Sequence, residues 1–236
     1  MRILRAMQER LSSADSSPVS LQVQDELSVS GLLTLPPAAR ACYVLAHGAG
    51  AGMRHPAMSV IAAGLAARGI ATLRFQFPYM ERGSRRPDPP PLCHATVRAA
   101  VAAAARLAPG LPLVAGGRSF GGRMTSQAQA LGPLPGVRGL AFLGFPLHPA
   151  GAPGDARARH LDRVTIPMLF LQGTRDALAD RALLEGLTAR LGARATLSLV
   201  EDADHAFHVP ARSGRNDAQV HAEVLQRLAA WIEALR

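Results

Sequence analysis

Ser119 stands in the stretch Ala115-Gly116-Gly117-Arg118-Ser119-Phe120-Gly121-Gly122, bracketed by Gly117 and Gly121 as Gly-x-Ser-x-Gly. That spacing suits a serine forced into a tight turn from a strand into a helix. The hydroxyl then projects at the sheet edge, and neighbouring backbone comes so close that only glycine fits on either side. The apolar run at residues 111–115 predicts the strand leading in, and residues 120–131 the helix leading out. Unpaired N–H groups at the start of that helix would face a developing negative charge. The chemistry implied is nucleophilic attack on a carbonyl carbon.

A serine hydroxyl is a weak nucleophile at neutral pH. It needs a base within hydrogen-bond reach and an acid that orients the base. In a parallel sheet such groups gather at the carboxyl ends of the strands, and behind this type of turn they follow in the order Ser, Asp or Glu, His. Residues 168–172 form a strand-like run into Gly173-Thr174-Arg175-Asp176, and residues 196–200 run into Glu201-Asp202-Ala203-Asp204-His205. Asp176 is the expected acid and His205 the expected base, with His208 as second choice for the base. Asp180 reads as the start of the following helix. Asp202 and Asp204 are too near His205 in sequence to face the far nitrogen of its ring. The His205/His208 pair has no Cys, Asp or His cluster of ligand-like spacing beside it, so neither a metal nor another cofactor is expected.

A negative charge developing on the carbonyl oxygen needs two N–H donors. Phe120, just after the serine, supplies one. The other is expected in His47-Gly48-Ala49-Gly50-Ala51-Gly52, from Ala49 with Gly50 as its substitute. This loop is not a phosphate loop: it lacks both Gly-Lys-Ser/Thr and Gly-x-Gly-x-x-Gly.

These groups require a scaffold of alternating strands and helices. Strand patterns at 19–23 and 27–35 suggest an antiparallel edge pair, and 41–46 is a continuously apolar central strand. Helix 56–68, strand 70–75, a long loop at 77–91, helix 94–107, the serine turn, strand 137–143, strand 166–172, helix 179–191, strand 195–200 and helix 216–235 follow. The fold class is therefore α/β, with a mainly parallel central sheet and helices on both faces. Only 22 residues separate the strands at 143 and 166, which leaves little or no lid. Residues 1–17 read as a loosely attached leader, and 18–236 as one domain.

The net charge of +9 does not point to nucleic acid. All 26 basic residues are arginine and they are scattered, with one local group at Arg82, Arg85 and Arg86. Those three would attract an anionic substrate. No run reaches the length of a membrane span and no signal peptide is legible, so no membrane partner and a cytoplasmic setting are expected, with Cys42 and Cys93 reduced. The expected partner is a small acyl substrate; nothing in the sequence bears on oligomeric state.

Taken together, these segments resemble the α/β-hydrolase superfamily, in its dienelactone-hydrolase-like branch. Within that branch the likeness is to a small lid-less group that includes the testis-expressed protein 30 and a hydrolase-like subunit of a chromatin complex. The resemblance is carried by His47-Gly48-Ala49-Gly50, Phe75-Gln76-Phe77-Pro78-Tyr79-Met80-Glu81, Gly117-Arg118-Ser119-Phe120-Gly121-Gly122, Phe145-Pro146-Leu147-His148-Pro149, Phe170-Leu171-Gln172-Gly173-Thr174-Arg175-Asp176 and Ala203-Asp204-His205. It implies a serine esterase or thioesterase with the triad Ser119–Asp176–His205. It also implies a substrate cleft near His47, Gly48, Gly50, Tyr79, Glu81 and His148. Dienelactone hydrolases proper use a cysteine where this chain has Ser119, so a lactone substrate does not carry over. A non-catalytic interaction module on the same fold is the alternative.

Overall fold

One sheet of eight strands runs through the computed structural model, which describes residues 16–235. The strands are β1 (Ser16–Gln24), β2 (Leu27–Thr34), β3 (Ala41–Ala46), β4 (Ile70–Phe75), β5 (Leu113–Arg118), β6 (Val137–Leu143), β7 (Met168–Gly173) and β8 (Ala195–Val200). Their spatial order is β1-β2-β4-β3-β5-β6-β7-β8. From β4 to β8 every neighbouring pair is parallel; β1 pairs antiparallel with β2, and β2 with β4. Strands β3, β4 and β7 are buried along their whole length, as central strands covered on both faces are; β3 is apolar apart from its Tyr43 hydroxyl, while β4 also buries Thr72 and Arg74 and β7 buries Gln172.

The helices are α1 (Pro56–Ala66), α2 (Pro78–Glu81), α3 (Pro90–Leu107), α4 (Phe120–Leu131), α5 (Arg181–Leu191) and α6 (Asp217–Ala234). Met58 and Leu65 of α1 pack with Val220 and Leu228 of α6 on one face of the sheet. Val97 of α3, Met124 of α4 and Leu184 of α5 pack on the other. Asn216 caps α6 with a reciprocal pair of bonds to Gln219, which fixes where the closing helix begins.

Two expectations shift. The leader at 1–17 lies outside the described residues except for Ser16 and Ser17, which open β1; the Ser16 hydroxyl meets that of Thr34 at 2.8 Å. The stretch expected as a loop at 77–91 contains α2, and α3 starts at Pro90 instead of residue 94. Proline lacks the N–H that a first helical turn leaves unpaired, so a Pro-Pro run read as a break is here a helix start. The connection from β6 to β7 holds a short 3-10 helix, Ala156–Arg163, and no α-helix, as its shortness led one to expect. Among the described residues no helix is long and apolar enough to cross a membrane.

Candidate active site

Parallel pairing of β3, β5, β6, β7 and β8 brings their carboxyl ends to one edge of the sheet. Ser119 follows β5 directly, with its N–H bonded to Leu143 O at 3.1 Å. Its backbone sits at φ 51° and ψ −117°, a left-handed conformation that a non-glycine residue rarely holds. The bracketing glycines have a steric cause. A Cβ on Gly117 would lie 2.3 Å from Ala46 O, and one on Gly121 would lie 2.6 Å from the carbonyl oxygens of both Ala46 and His47. The turn is therefore wedged against the end of β3, the strand that carries the Gly48–Ala49 loop.

Asp176, three residues past β7, and His205, five past β8, meet at this edge. His205 Nε2 is 2.8 Å from Ser119 Oγ, and its Nδ1 is 2.6 Å from Asp176 Oδ2. A carboxylate only accepts, so Nδ1 carries the proton and Nε2 is left to accept from the serine hydroxyl. The Asp176 side chain is 0% exposed and that of His205 26%, so the chain of bonds runs from a dry interior to an accessible hydroxyl. Asp176 Oδ1 accepts from Leu178 N–H at 2.8 Å. Its Oδ2 also accepts from the buried Gln172 amide, whose Oε1 in turn accepts from Phe145 N–H at 2.8 Å.

The competitors are engaged elsewhere. His208 faces Asp217 at 2.9 Å, and that partner raises its pKa. Asp180 caps α5 through Leu183 N–H. Asp204 accepts from the N–H groups of Ala206 and His208, which shapes the turn that carries His205. Among the described residues no group of three or more His, Cys, Asp or Glu is placed to hold a metal.

Ala49, Ser119 and Phe120 line one cleft of about 440 Å³. Neither the Ala49 N–H nor the Phe120 N–H bonds to an acceptor among the described residues. Gly50 N–H is taken by the Tyr79 hydroxyl at 3.3 Å, so Ala49 is the loop donor left open to the cleft.

The polar side chains expected in the cleft are corrected. His47 is fully buried: its Nδ1 lies 2.8 Å from Gly48 O and its Nε2 accepts from Phe77 N–H at 3.1 Å. Burial pushes its pKa down to about 4, so the ring is a neutral brace for the loop. Tyr79 is buried among Phe77, Phe120 and His47. Glu81 turns away to Ser30 N–H, joining α2 to β2. His148 accepts from Asp180 N–H at 2.8 Å and supports the segment after Asp176. Gly48 and Gly50 contribute backbone to the loop. Arg82 pairs with Asp88. The side chains that face the cleft instead include Asp88, Arg123, Met124, Arg157 and Leu178. Spacing could not reveal them, because α3, α4 and the 3-10 helix converge only through tertiary packing; the position of Arg123 one helical turn after Ser119 was the available signal.

Comparison with known proteins agrees with this architecture. A dienelactone hydrolase from Anabaena variabilis superposes with a TM-score of 0.75 at 22% identity, covering 93% of this chain and 97% of that one. An α/β serine hydrolase without lid from Xanthomonas campestris gives 0.71 at 20%, covering 92% and 95%. The esterase domain of a Rhodothermus marinus protein gives 0.69 at 17%, covering 92% and 97%. At such identities the likeness is one of fold. The family model described as an alpha/beta hydrolase domain matches residues 39–233, which hold six of the eight strands and every element that carries the site, and on that match the chain belongs to the α/β-hydrolase family.

Proposed function

We propose that this protein is a serine hydrolase that cleaves an ester or thioester of a small acyl substrate. The observation that carries the reading is the unbroken chain of bonds from Ser119 Oγ through His205 to buried Asp176. His205 Nε2 takes the hydroxyl proton as Oγ bonds to the carbonyl carbon. Asp176 stabilises the resulting imidazolium and keeps its ring in place. The oxyanion is held by the N–H groups of Ala49 and Phe120; one such donor is worth roughly 3–4 kcal/mol of barrier. His205 then gives its proton to the departing alcohol or thiol as the carbonyl–heteroatom bond breaks. Water, deprotonated by the same nitrogen, attacks the acyl-serine; the C–Oγ bond breaks, the His205 imidazolium returns the proton to Ser119 Oγ, and the acid leaves.

Within the family, the Phe145-Pro146-Leu147-His148-Pro149 and Phe75–Glu81 phrases favour the lid-less group that includes the testis-expressed protein 30. Cys42 and Cys93 are free thiols inside the core, in keeping with a cytoplasmic setting.

The test is labelling by a fluorophosphonate probe and turnover of short 4-nitrophenyl esters, wild type beside Ser119→Ala. Label and turnover confined to wild type are expected. A folded wild type that neither labels nor turns over would overturn the reading and favour the interaction module.

A further inference from the structure

Two arginines at the cleft have no carboxylate partner among the described residues. Arg123 lies in the first turn of α4, its N–H bonded to Ser119 O at 3.2 Å, and its guanidinium carbon sits 5.8 Å from the centre of the Phe120 ring. Its Nε is buried and bonds to no acceptor among the described residues. A buried, charged N–H left without an acceptor is costly and calls for an explanation. Arg157 reaches the same cleft from the 3-10 helix Ala156–Arg163. That helix is held to α4 by the bond between Ser126 Oγ and His160 Nε2 at 2.8 Å, so the two guanidiniums are presented from two fastened elements.

Arg40, Arg82, Arg159, Arg181, Arg190, Arg215 and Arg227 each have a carboxylate within 4.0 Å. Arg123 and Arg157 have none among the described residues, and although other arginines such as Arg118 and Arg138 share that lack, these two are the arginines that line the Ser119 cleft. The one carboxylate lining the cleft, Asp88, is paired with Arg82 through Oδ1, while its buried Oδ2 has no hydrogen-bond partner among the described residues. The neighbourhood is electropositive beyond these two side chains. His160 titrates at about 4 because it is buried and because Arg123 and Arg163 lie near it.

We propose that Arg123 and Arg157 form an anion-binding subsite, and that the substrate cleaved at Ser119 carries a carboxylate or phosphate a few bonds from the scissile carbonyl. The second part rests on the hydrolase reading; the subsite itself does not. Arg123 stands four residues after Ser119 on α4, about 6 Å along the helix axis. A short acyl chain ending in an anionic group spans that interval. Guanidinium forks hold such oxygens with paired, charge-assisted bonds, and the Arg123 Nε gains the acceptor it lacks.

Two measurements test this. In the first, kcat/KM for 4-nitrophenyl hydrogen glutarate is divided by kcat/KM for 4-nitrophenyl butyrate. The expected ratio is at least tenfold in wild type, falling about tenfold in Arg123→Gln and in Arg157→Gln, mainly through KM. Exposed Arg138→Gln, which removes the same charge elsewhere, should leave the ratio alone. In the second, glutarate and inorganic phosphate are titrated calorimetrically into Ser119→Ala, with and without Arg123→Gln or Arg157→Gln. Binding lost with either arginine supports the subsite, and the anion that binds more tightly identifies the group. If no ester is turned over and no probe labels, the hydrolase reading fails and the titration alone decides the subsite. If esters are cleaved with a ratio near one and neither anion binds, the subsite is overturned while the hydrolase reading stands.

Discussion

Replacing Gln172 with leucine separates what holds Asp176 from what Asp176 does. The Gln172 amide has one self-consistent orientation: its NH₂ donates to the carboxylate and its oxygen accepts from Phe145 N–H. Leucine keeps most of the volume and removes both functions. A hydrogen bond to a charged group contributes about 1.5–3 kcal/mol, and the buried Phe145 N–H, left without an acceptor, costs about 1–3 kcal/mol. The expected loss is therefore about 3–5 kcal/mol, or roughly a 10 °C fall in melting temperature for a domain of this size. Asp176 keeps Leu178 N–H and His205, so folding should survive. With a freer carboxylate orienting the His205 ring, ester turnover should fall about tenfold in kcat with little change in KM. Urea unfolding and steady-state kinetics on the same preparation read both effects. A loss of stability under 1 kcal/mol with kcat unchanged would show that the amide does not hold the carboxylate.

Two further outcomes follow from the same geometry. His47 and His160 both titrate near 4 in the fold, lowered chiefly by burial, against about 6.5 unfolded. Below pH 6.5 the unfolded chain takes up protons that the native state refuses, so stability falls as pH falls, by up to about 2.7 kcal/mol per unit for the pair until pH nears 4. His208 works in the other direction, but it is exposed and weakens the trend without reversing it. Urea midpoints at pH 7 and pH 5 check this; equal midpoints at unchanged m-value would refute it. Gly121→Ala forces a Cβ to within 2.6 Å of two backbone oxygens and should cost about 3 kcal/mol along with most activity. Gly186→Ala, exposed on α5 with open space around it, should instead stabilise by about 0.5–1 kcal/mol. Equal thermal shifts for the two variants would refute the steric account.

The residues legible in the sequence are those whose roles are tied to local pattern. Gly117 and Gly121 mark a turn because the steric demand falls on the residues next to it. The alternation of apolar runs with helical periods implies a parallel sheet, and a parallel sheet brings the segments after β5, β7 and β8 to one edge whatever the details of packing. Gln172 shows where such reasoning ends. It sits in a buried strand, where spacing alone says core, and its function depends on Phe145 from the neighbouring β6–β7 connection. His47 and Tyr79 fail for a related reason. Their positions after strands suggest the cleft, but an imidazole and a phenol can point either way from a loop, and here both turn inward to hold it. The start of α3 at Pro90 was hidden because proline is read as a breaker unless its place in the first turn is known.

The backbone of Ser119 has a consequence for how this position can change over generations. Its conformation costs a side-chain-bearing residue of order 1–3 kcal/mol, and glycine would relieve most of that strain. Alanine would keep the strain and lose the hydroxyl. A lineage in which nothing depended on the hydroxyl would therefore find the more stable sequence one substitution away, and drift would lead there. On the proposed function, serine at this backbone is the less comfortable choice for the fold, kept because its oxygen is worth more than the stability forgone.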